Sequence, residues 1–273
     1  MKFYQIYITI LTCLLCSFQV DALWPKWVDT LAAKISNTTD VIVHKEFHKV
    51  KRLELSNENG TIVINSWKQD SVAIEVITSC AQASHKDIKV DIESMHEVIK
   101  IHTIFTDEKI KGTVVFNILL PKNVDVIVGT KQGDIIIKDV NSDLNLETCH
   151  GDIKLVNPHD TLRAKTGEGN ILIRTDSIER SKQFNLIANK GDIEIYTTPA
   201  INTYLHASAL QGKVISELSI VLDSKITTLN ADAWKSFRQN VHGIIGEPLS
   251  QLNITAHNGS IAIMPYMKQN DIF

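Results

Sequence analysis

The chain has 273 residues, which is enough for one large all-β domain or for two modest domains. Ile, Val and Leu dominate the apolar fraction and aromatic residues make up 6%, a balance that favours narrow aliphatic packing over a ligand pocket lined with rings. The formal net charge of −3, with Lys interspersed among Asp and Glu, gives no electrostatic reason to expect a nucleic acid as partner.

The first 22 residues have the pattern of a secretory signal peptide. Met1 and Lys2 give a short basic start, residues 3–18 are mostly apolar, and Ala22 ends a sequence that signal peptidase accepts. An uncleaved membrane anchor is the alternative, although the apolar run is short for a spanning helix. We therefore expect an exported protein, located in the periplasm, at the cell surface or outside the cell.

Removal of this segment leaves two cysteines, Cys80 and Cys149. In an exported protein such a pair can form a disulfide. Because nothing in the sequence brings the two residues together, we expect buried thiols instead.

Residues 23–40 begin the mature protein with an amphipathic pattern. One helical face carries Trp24, Trp27, Val28, Leu31 and Ile35, and Pro25 lies near the first turn. We expect a helix that caps one end of a β stack, since solenoids require such caps. The alternative is peripheral contact with a membrane through the two tryptophans.

Residues 41–267 are predicted to form one β-solenoid domain. Its first unit is the segment 41–64. The following segment, 71–120, alternates apolar and polar residues in several runs and predicts an antiparallel insert.

A short repeat then begins, in which alternating apolar residues lead to a glycine and resume as Gly-Asp/Asn-Ile-x-Ile/Leu. Gly133, Gly151 and Gly169 are spaced by 18 residues, and Gly191 follows after 22. Copies on both sides of this region extend the series of aligned glycines to Gly60, Gly133, Gly151, Gly169, Gly191, Gly212 and Gly259. Such a period is typical of a stacked β architecture in which each copy is one structural unit.

The residue types suggest how the units stack. Glycine can adopt the positive φ of a tight turn, and the small residue three places earlier lets turns approach one another. The isoleucine two places after each glycine points inward, so that Ile135, Ile153, Ile171 and Ile193 form one column. We therefore predict an all-β, right-handed β-helix or solenoid-like stack with a short N-terminal helix.

The period is interrupted at residues 217–250. Trp234, Phe237 and Val241 lie on one face of a predicted helix, after Asn230 as an N-cap. We expect a packed excursion over the side of the stack, and the alternative is a lid or a partner-binding loop.

The acidic residues after the glycines are the most evident candidates for a surface contact. Stacked copies would align Asp134, Asp152, Asn170 and Asp192 along one edge, where they could bind Ca²⁺ or sugar hydroxyls. However, Asp and Asn commonly accompany turn glycines because their side chains accept backbone N–H bonds. The structural interpretation is favoured, and Trp234 is added as a candidate contact.

Other chemistry is weakly supported by the sequence. Carboxylate pairs such as Glu147 and Asp152, or Glu168 and Asp176, could serve glycoside hydrolysis at the right separation. The ten histidines are scattered, and His44 and His48 lie in a strand-like context that disfavours zinc binding. We expect no catalytic residues, no metal site and no cofactor.

Several of these features together resemble the putative adhesin family, a group of exported β-solenoid-like proteins of unknown function. The resemblance rests on Asn59-Gly-Thr-Ile-Val-Ile, an insert closed by Leu119-Leu-Pro-Lys122, the Gly-Asp-Ile-x-Ile units, and Gly243-Ile-Ile-Gly246 before a last Asn-Gly-Ser-Ile unit. It covers residues 41–263. The family implies a surface or envelope role and supplies no catalytic residues, and the segment around Trp234 departs from its pattern.

The leading hypothesis is an exported, non-enzymatic envelope protein that presents a repeat surface to a protein or a glycan. One alternative is a polysaccharide-processing lyase or hydrolase, which would require a carboxylate pair in a cleft. Another is a structural envelope scaffold anchored through Trp24, Trp27 or Trp234. The sequence specifies neither the ligand nor the oligomeric state.

Overall fold

The structure is a computed structural model that describes residues 39–80, 86–107, 111–223 and 239–266. The predicted signal peptide and the candidate contact Trp234 lie outside these residues. So does the predicted N-terminal helix, except for Thr39 and Asp40, which begin the first strand. Residues 39 onward belong to one compact unit.

The described residues form an all-β fold, as predicted. Its strands are β1 Thr39–His48, β2 Arg52–Asn59, β3 Ile62–Trp67, β4 Ser71–Cys80, β5 Ile88–Met95, β6 Val98–Phe105, β7 Gly112–Pro121, β8 Asp125–Gln132, β9 Ile135–Lys138, β10 Leu144–His150, β11 Ile153–Val156, β12 Leu162–Glu168, β13 Ile171–Thr175, β14 Gln183–Lys190, β15 Ile193–Thr197, β16 Thr203–Ala209, β17 Val214–Ser216, β18 Val221–Leu222, β19 Asn240–Ile245, β20 Ser250–Asn258 and β21 Ile261–Pro265.

These strands build two sheets. Sheet A has the order β1-β4-β7-β3-β9-β11-β13-β15-β21-β17, and sheet B has the order β18-β19-β16-β20-β14-β12-β10-β8-β2-β6-β5. A strand in sheet B and the next strand in sheet A form one rung, with a corner between them. Rungs stack by parallel pairing, as between β10 and β12 in sheet B and between β11 and β13 in sheet A.

The core lies between the two sheets and consists of aliphatic columns. Ile135, Ile153, Ile171 and Ile193 are in register on neighbouring strands and are 0% exposed, which confirms the predicted column. Sheet B contributes a facing column that includes Val126, Leu144, Leu162 and Phe184. Because side chains alternate along each strand, every second residue enters this core and its neighbours point outward.

The segment 71–120 extends both sheets instead of forming a sheet of its own. β6 pairs in parallel with β2, and β7 pairs in parallel with β3, so β6 and β7 make another rung outside the first one. The antiparallel pairs are β1 with β4, β4 with β7, and β5 with β6. These strands close one end of the stack.

The other end also departs from chain order. The last rung, β20–β21, lies between β14–β15 and β16–β17. β19 and β18 then add antiparallel strands beyond β16. The sequence predicts Val241 on a helical face, but Val241 lies in β19. Its side chain is buried and both of its neighbours are exposed, which is the alternation of a strand and not of a helix.

Candidate functional site

The aligned glycines form a column at the corner between the two sheets. Gly60, Gly133, Gly151, Gly169 and Gly191 have φ between 128° and 148°, which is a conformation that residues with a Cβ rarely adopt. A Cβ on Gly169 would lie 2.0 Å from the carbonyl oxygen of Gly151. Gly259 and Gly212 continue the column with equally close approaches to the preceding glycine. The repeat therefore needs glycine for close stacking as well as for the turn.

The acidic row beside the glycines is a ladder of hydrogen bonds between rungs. Oδ1 of Asp134 accepts the N–H of Asp152 at 2.8 Å, and Oδ1 of Asp152 accepts the N–H of Asn170 at 2.8 Å. Asn170 and Asp192 continue it to the N–H groups of Asp192 and Ser260. One oxygen of each side chain is therefore committed to the neighbouring rung, which is a structural role.

The small residues before the glycines also link rungs. The Thr148 hydroxyl donates to the Gly133 carbonyl at 3.1 Å, and the Thr166 hydroxyl donates to the Gly151 carbonyl at 2.9 Å. Asn57 occupies the equivalent position before Gly60, and its side-chain amide donates to the carbonyl oxygens of Gly60 and Val114. The sequence predicts only small size at this position, whereas the threonines also satisfy buried carbonyl groups.

The outer face of sheet B is divided by chemistry into two parts. The first part, on β5, β6, β2, β8, β10 and β12, is charged, and we name it the charged face. Its outward residues include Glu54, Glu58, Asp91, Glu93, Lys100, Lys131, Glu147, Arg163 and Lys165. Lys100 pairs with Glu54 at 3.4 Å, Lys131 with Glu58 at 2.7 Å and Lys165 with Glu147 at 2.7 Å.

Electrostatics on this part of the molecule are those of solvated ion pairs. The hydrogen bond to Glu147 raises the pKa of Lys165, and the hydrogen bond from Lys190 lowers the pKa of Glu168. Both shifts favour the charged forms that are present at neutral pH. They indicate surface pairing between rungs and not an activated acid or base.

A shallow depression of about 550 Å³ lies on the charged face. Its floor includes Ser56 and Gly129, which are paired neighbours on β2 and β8. Glu54, Asp91 and Glu93 are among its lining residues. Gly129 is not required by the backbone, because a Cβ there would meet only the Glu147 carbonyl oxygen, at 3.9 Å.

The second part of the outer face is rich in amides and hydroxyls, and we name it the amide-rich face. Its outward residues lie on β14, β20, β16 and β19, and among the described residues of these strands the one charged side chain is the exposed Lys190, which ends β14 and pairs with Glu168. The remaining outward residues are uncharged. They are Gln183, Asn185, Ile187, Tyr204, His206, Ser208, Asn240, His242, Ile244, Gln251, Asn253 and Thr255. Tyr204 is 41% exposed and presents its ring to solvent.

Hydrogen bonds order much of the amide-rich face. Asn185 Oδ1 accepts bonds from Gln183 Nε2 and from Asn253 Nδ2, both at 2.9 Å. The Ser208 hydroxyl donates to Asn240 Oδ1 at 2.7 Å, and His206 Nδ1 lies 2.7 Å from His242 Nδ1. Ligand-binding groups that are fixed in advance lose little conformational freedom on binding.

Sequence reasoning missed this face because its residues come from distant segments. His206 and His242 are 36 residues apart, and Asn185 and Asn253 are 68 apart. The alternation of inward and outward residues within each strand does mark these residues as outward-facing. The order of the strands, which places β20 between β14 and β16, is not visible in the repeat itself.

Cys80 and Cys149 are not bonded to each other. Cys80 is buried, and burial raises its pKa, with a further contribution from the charge of Asp87. Cys149 is exposed on sheet B, so the expectation of a buried thiol was wrong there because its position in β10 points outward.

Two further classes of site are absent from the part of the chain that the structure describes. There, no group of three or more His, Cys, Asp or Glu side chains is arranged to hold a metal ion. Within the same residues, no helix has the length and apolar character needed to cross a membrane.

The sequence matches no protein-family model and no curated protein. Among solved structures, a putative cell adhesion protein from Clostridium sporogenes is similar over 84% of this chain and 100% of its own, with 13% identity and a TM-score of 0.51. A putative adhesin from Bacteroides fragilis is 12% identical over 84% of this chain and 97% of its own, with a TM-score of 0.38. A putative lipid binding protein from Parabacteroides distasonis is 8% identical over 84% and 97%, with a TM-score of 0.26.

At this level of identity a structural likeness establishes the fold and not the activity. The resemblance that the sequence motifs carry therefore holds for the fold. The chain has the β-stack fold of the solved Clostridium sporogenes protein that is described as a putative cell adhesion protein.

Proposed function

We propose that this protein is an exported, non-enzymatic binding module that recognises a neutral glycan through the amide-rich face of sheet B. The observation that carries the proposal is the separation of this face from the charged face of the same sheet. An ordered, uncharged set of amide and hydroxyl groups suits a ligand whose own groups are mainly hydroxyls, because amides both donate and accept hydrogen bonds.

Tyr204 adds the apolar element that a sugar ring requires. Its ring is 41% exposed beside Gln251, and aromatic rings with a polar tip are common at binding surfaces. The name of the Clostridium sporogenes protein, a putative cell adhesion protein, agrees with a surface-binding role. The acidic ladder is less suitable as a contact surface because Asp134 and Asp152 already bond to the next rung.

The direct test is binding of the purified full chain to an array of neutral and acidic oligosaccharides. We expect binding to neutral glycans, weakened about tenfold or more by Tyr204→Ala. Ile127→Ala is the matched control, because Ile127 is 39% exposed on the charged face of the same sheet. Equal loss in both variants, or binding to acidic glycans alone, contradicts the proposal.

The enzyme alternative is tested on the same glycans by following reducing ends over time. The three carboxylates of the depression, Glu54, Asp91 and Glu93, are its candidates. We expect no hydrolysis. Turnover that disappears in Asp91→Asn or Glu54→Gln would replace the binding function with a catalytic one.

A further inference from the structure

Two histidines face each other at the end of sheet B. His206 on β16 and His242 on β19 are direct partners in an antiparallel pair, so their side chains project from the same face. Their Nδ1 atoms are 2.7 Å apart, their ring centroids are 5.0 Å apart, and the rings are inclined by 69°. Both residues are exposed.

The separation of the two nitrogen atoms has a chemical meaning. At 2.7 Å one imidazole must donate a hydrogen to the other, because two lone pairs would repel. A divalent metal ion can take the place of that shared hydrogen, since neutral imidazole is a common ligand through either ring nitrogen.

We propose that His206 and His242 form a binding site for a divalent transition metal ion with tetragonal preference, Cu²⁺ or Ni²⁺. Metal–nitrogen bonds of about 2.0–2.1 Å place two ligands roughly 2.8–3.0 Å apart at a right angle, and about 3.3–3.4 Å apart at the tetrahedral angle. The observed 2.7 Å is closer to the right angle, which square-planar Cu²⁺ and Ni²⁺ adopt. Cu²⁺ is expected to bind more tightly than Ni²⁺ or Zn²⁺.

The surroundings of the pair suit an open site. Asn253 lies beside His206 on β20, and Ser208 and Asn240 form the next cross-strand pair. No carboxylate belongs to this face, and no third His, Cys, Asp or Glu among the described residues joins the pair. No described side chain takes the remaining coordination positions, which are open to water or to a ligand. Bound metal would also join β19 to β16 across their hydrogen-bonded edge.

The histidine pair belongs to the amide-rich face, so the experiment uses the metal alone, without glycan, and its outcome does not depend on the proposed glycan binding. The full chain is titrated with Cu²⁺ and followed by calorimetry and by electron paramagnetic resonance. We expect one site with two imidazole nitrogens per chain. His206→Asn and His242→Asn are each expected to weaken it by more than about tenfold, since even losing a partner of a ligand costs 10–100-fold.

His257→Asn is the matched control. His257 is also an exposed histidine of sheet B, and it lies on β20 next to Asn258, which pairs with Lys190 on β14. This variant should leave the affinity and the spectrum unchanged. Retention of the two-nitrogen signal in both His206→Asn and His242→Asn overturns the proposal, as does equal loss in His257→Asn. Circular dichroism checks that each variant is folded.

Discussion

The carbonyl oxygen of Gly133 lies 2.1 Å from the point that a Cβ atom on Gly151 would occupy. Gly151 also has a φ of 148°, so any other residue there meets both a steric contact and a strained backbone. The column of glycines therefore sets how closely the rungs approach.

Gly151→Ala is expected to destabilise the protein by more than about 2 kcal/mol, because strain at such a φ adds to the displacement of the neighbouring rung. Gly129→Ala is the matched control, since a Cβ there meets only one atom, at 3.9 Å. Urea unfolding followed by circular dichroism measures both. Similar midpoints for the two variants would contradict the stacking role of Gly151.

The aliphatic columns predict that two adjacent residues of one strand contribute differently to the free energy of unfolding. Ile171 is 0% exposed, whereas Leu172 points outward from the same strand. Ile171→Ala should lower the free energy of unfolding by about 2 to 5 kcal/mol, because it leaves a cavity in the core. Leu172→Ala should lower it by less than about 1 kcal/mol. Equal losses in urea titrations would show that the column is not the main source of stability.

The acidic ladder predicts that an amide can replace a carboxylate. Asp152→Ala removes the acceptor for the Asn170 N–H and should cost about 1 kcal/mol. Asp152→Asn should be close to neutral, because Asn170 already makes the same bond to Asp192. Both are measured by thermal unfolding.

The same thermal scans are repeated with millimolar Ca²⁺. We expect the unfolding temperature to stay the same. An increase with Ca²⁺ that Asp152→Asn abolishes would mean that the row binds calcium in addition to linking rungs.

An ion pair between two loops predicts a dependence of stability on acid pH. Asp160 lies 2.5 Å from Lys182, which precedes β14. Burial opposes ionisation of Asp160, but hydrogen bonds from Lys182 and from the Thr161 N–H outweigh it, so the pKa of Asp160 is lowered. The folded state therefore binds this proton more weakly than the unfolded chain does.

The sign of the effect follows from that pKa. The stabilisation is fully present above the ordinary pKa of an aspartate, near 3.8, and is lost as the pH falls through the lower value of the folded state. Asp160→Asn should be less stable than wild type at pH 6, and the difference should shrink towards pH 2. Urea midpoints across this range provide the measurement, and a constant difference would contradict the assignment.

Much of the fold could be predicted because it is local and repeated. The spacing of Gly133, Gly151 and Gly169 marks successive corners, and the alternation around Ile153 marks the inward face. Both follow from steric limits and strand geometry, which act within a few residues.

The pairing at the ends could not be predicted in this way. β6 pairs with β2, and β20 lies between β14 and β16, because of contacts between segments far apart in the chain. The amide-rich face depends on that order, so its residues, including His206 and His242, did not stand out. A helical spacing at Val241 was misleading because apolar residues in short segments can satisfy either period.

The position of β20–β21 between earlier rungs bears on how the protein is made. The strands β16, β18 and β19 are synthesised before β20, which is Ser250–Asn258. In sheet B, however, these three strands connect to β14 only through β20. At about 5 to 20 residues per second, Pro265 follows Ala209 by about 3 to 11 seconds. During that interval the stack can grow only as far as β15, so its far end is completed by the last strands to emerge, which enter between neighbours that were made before them.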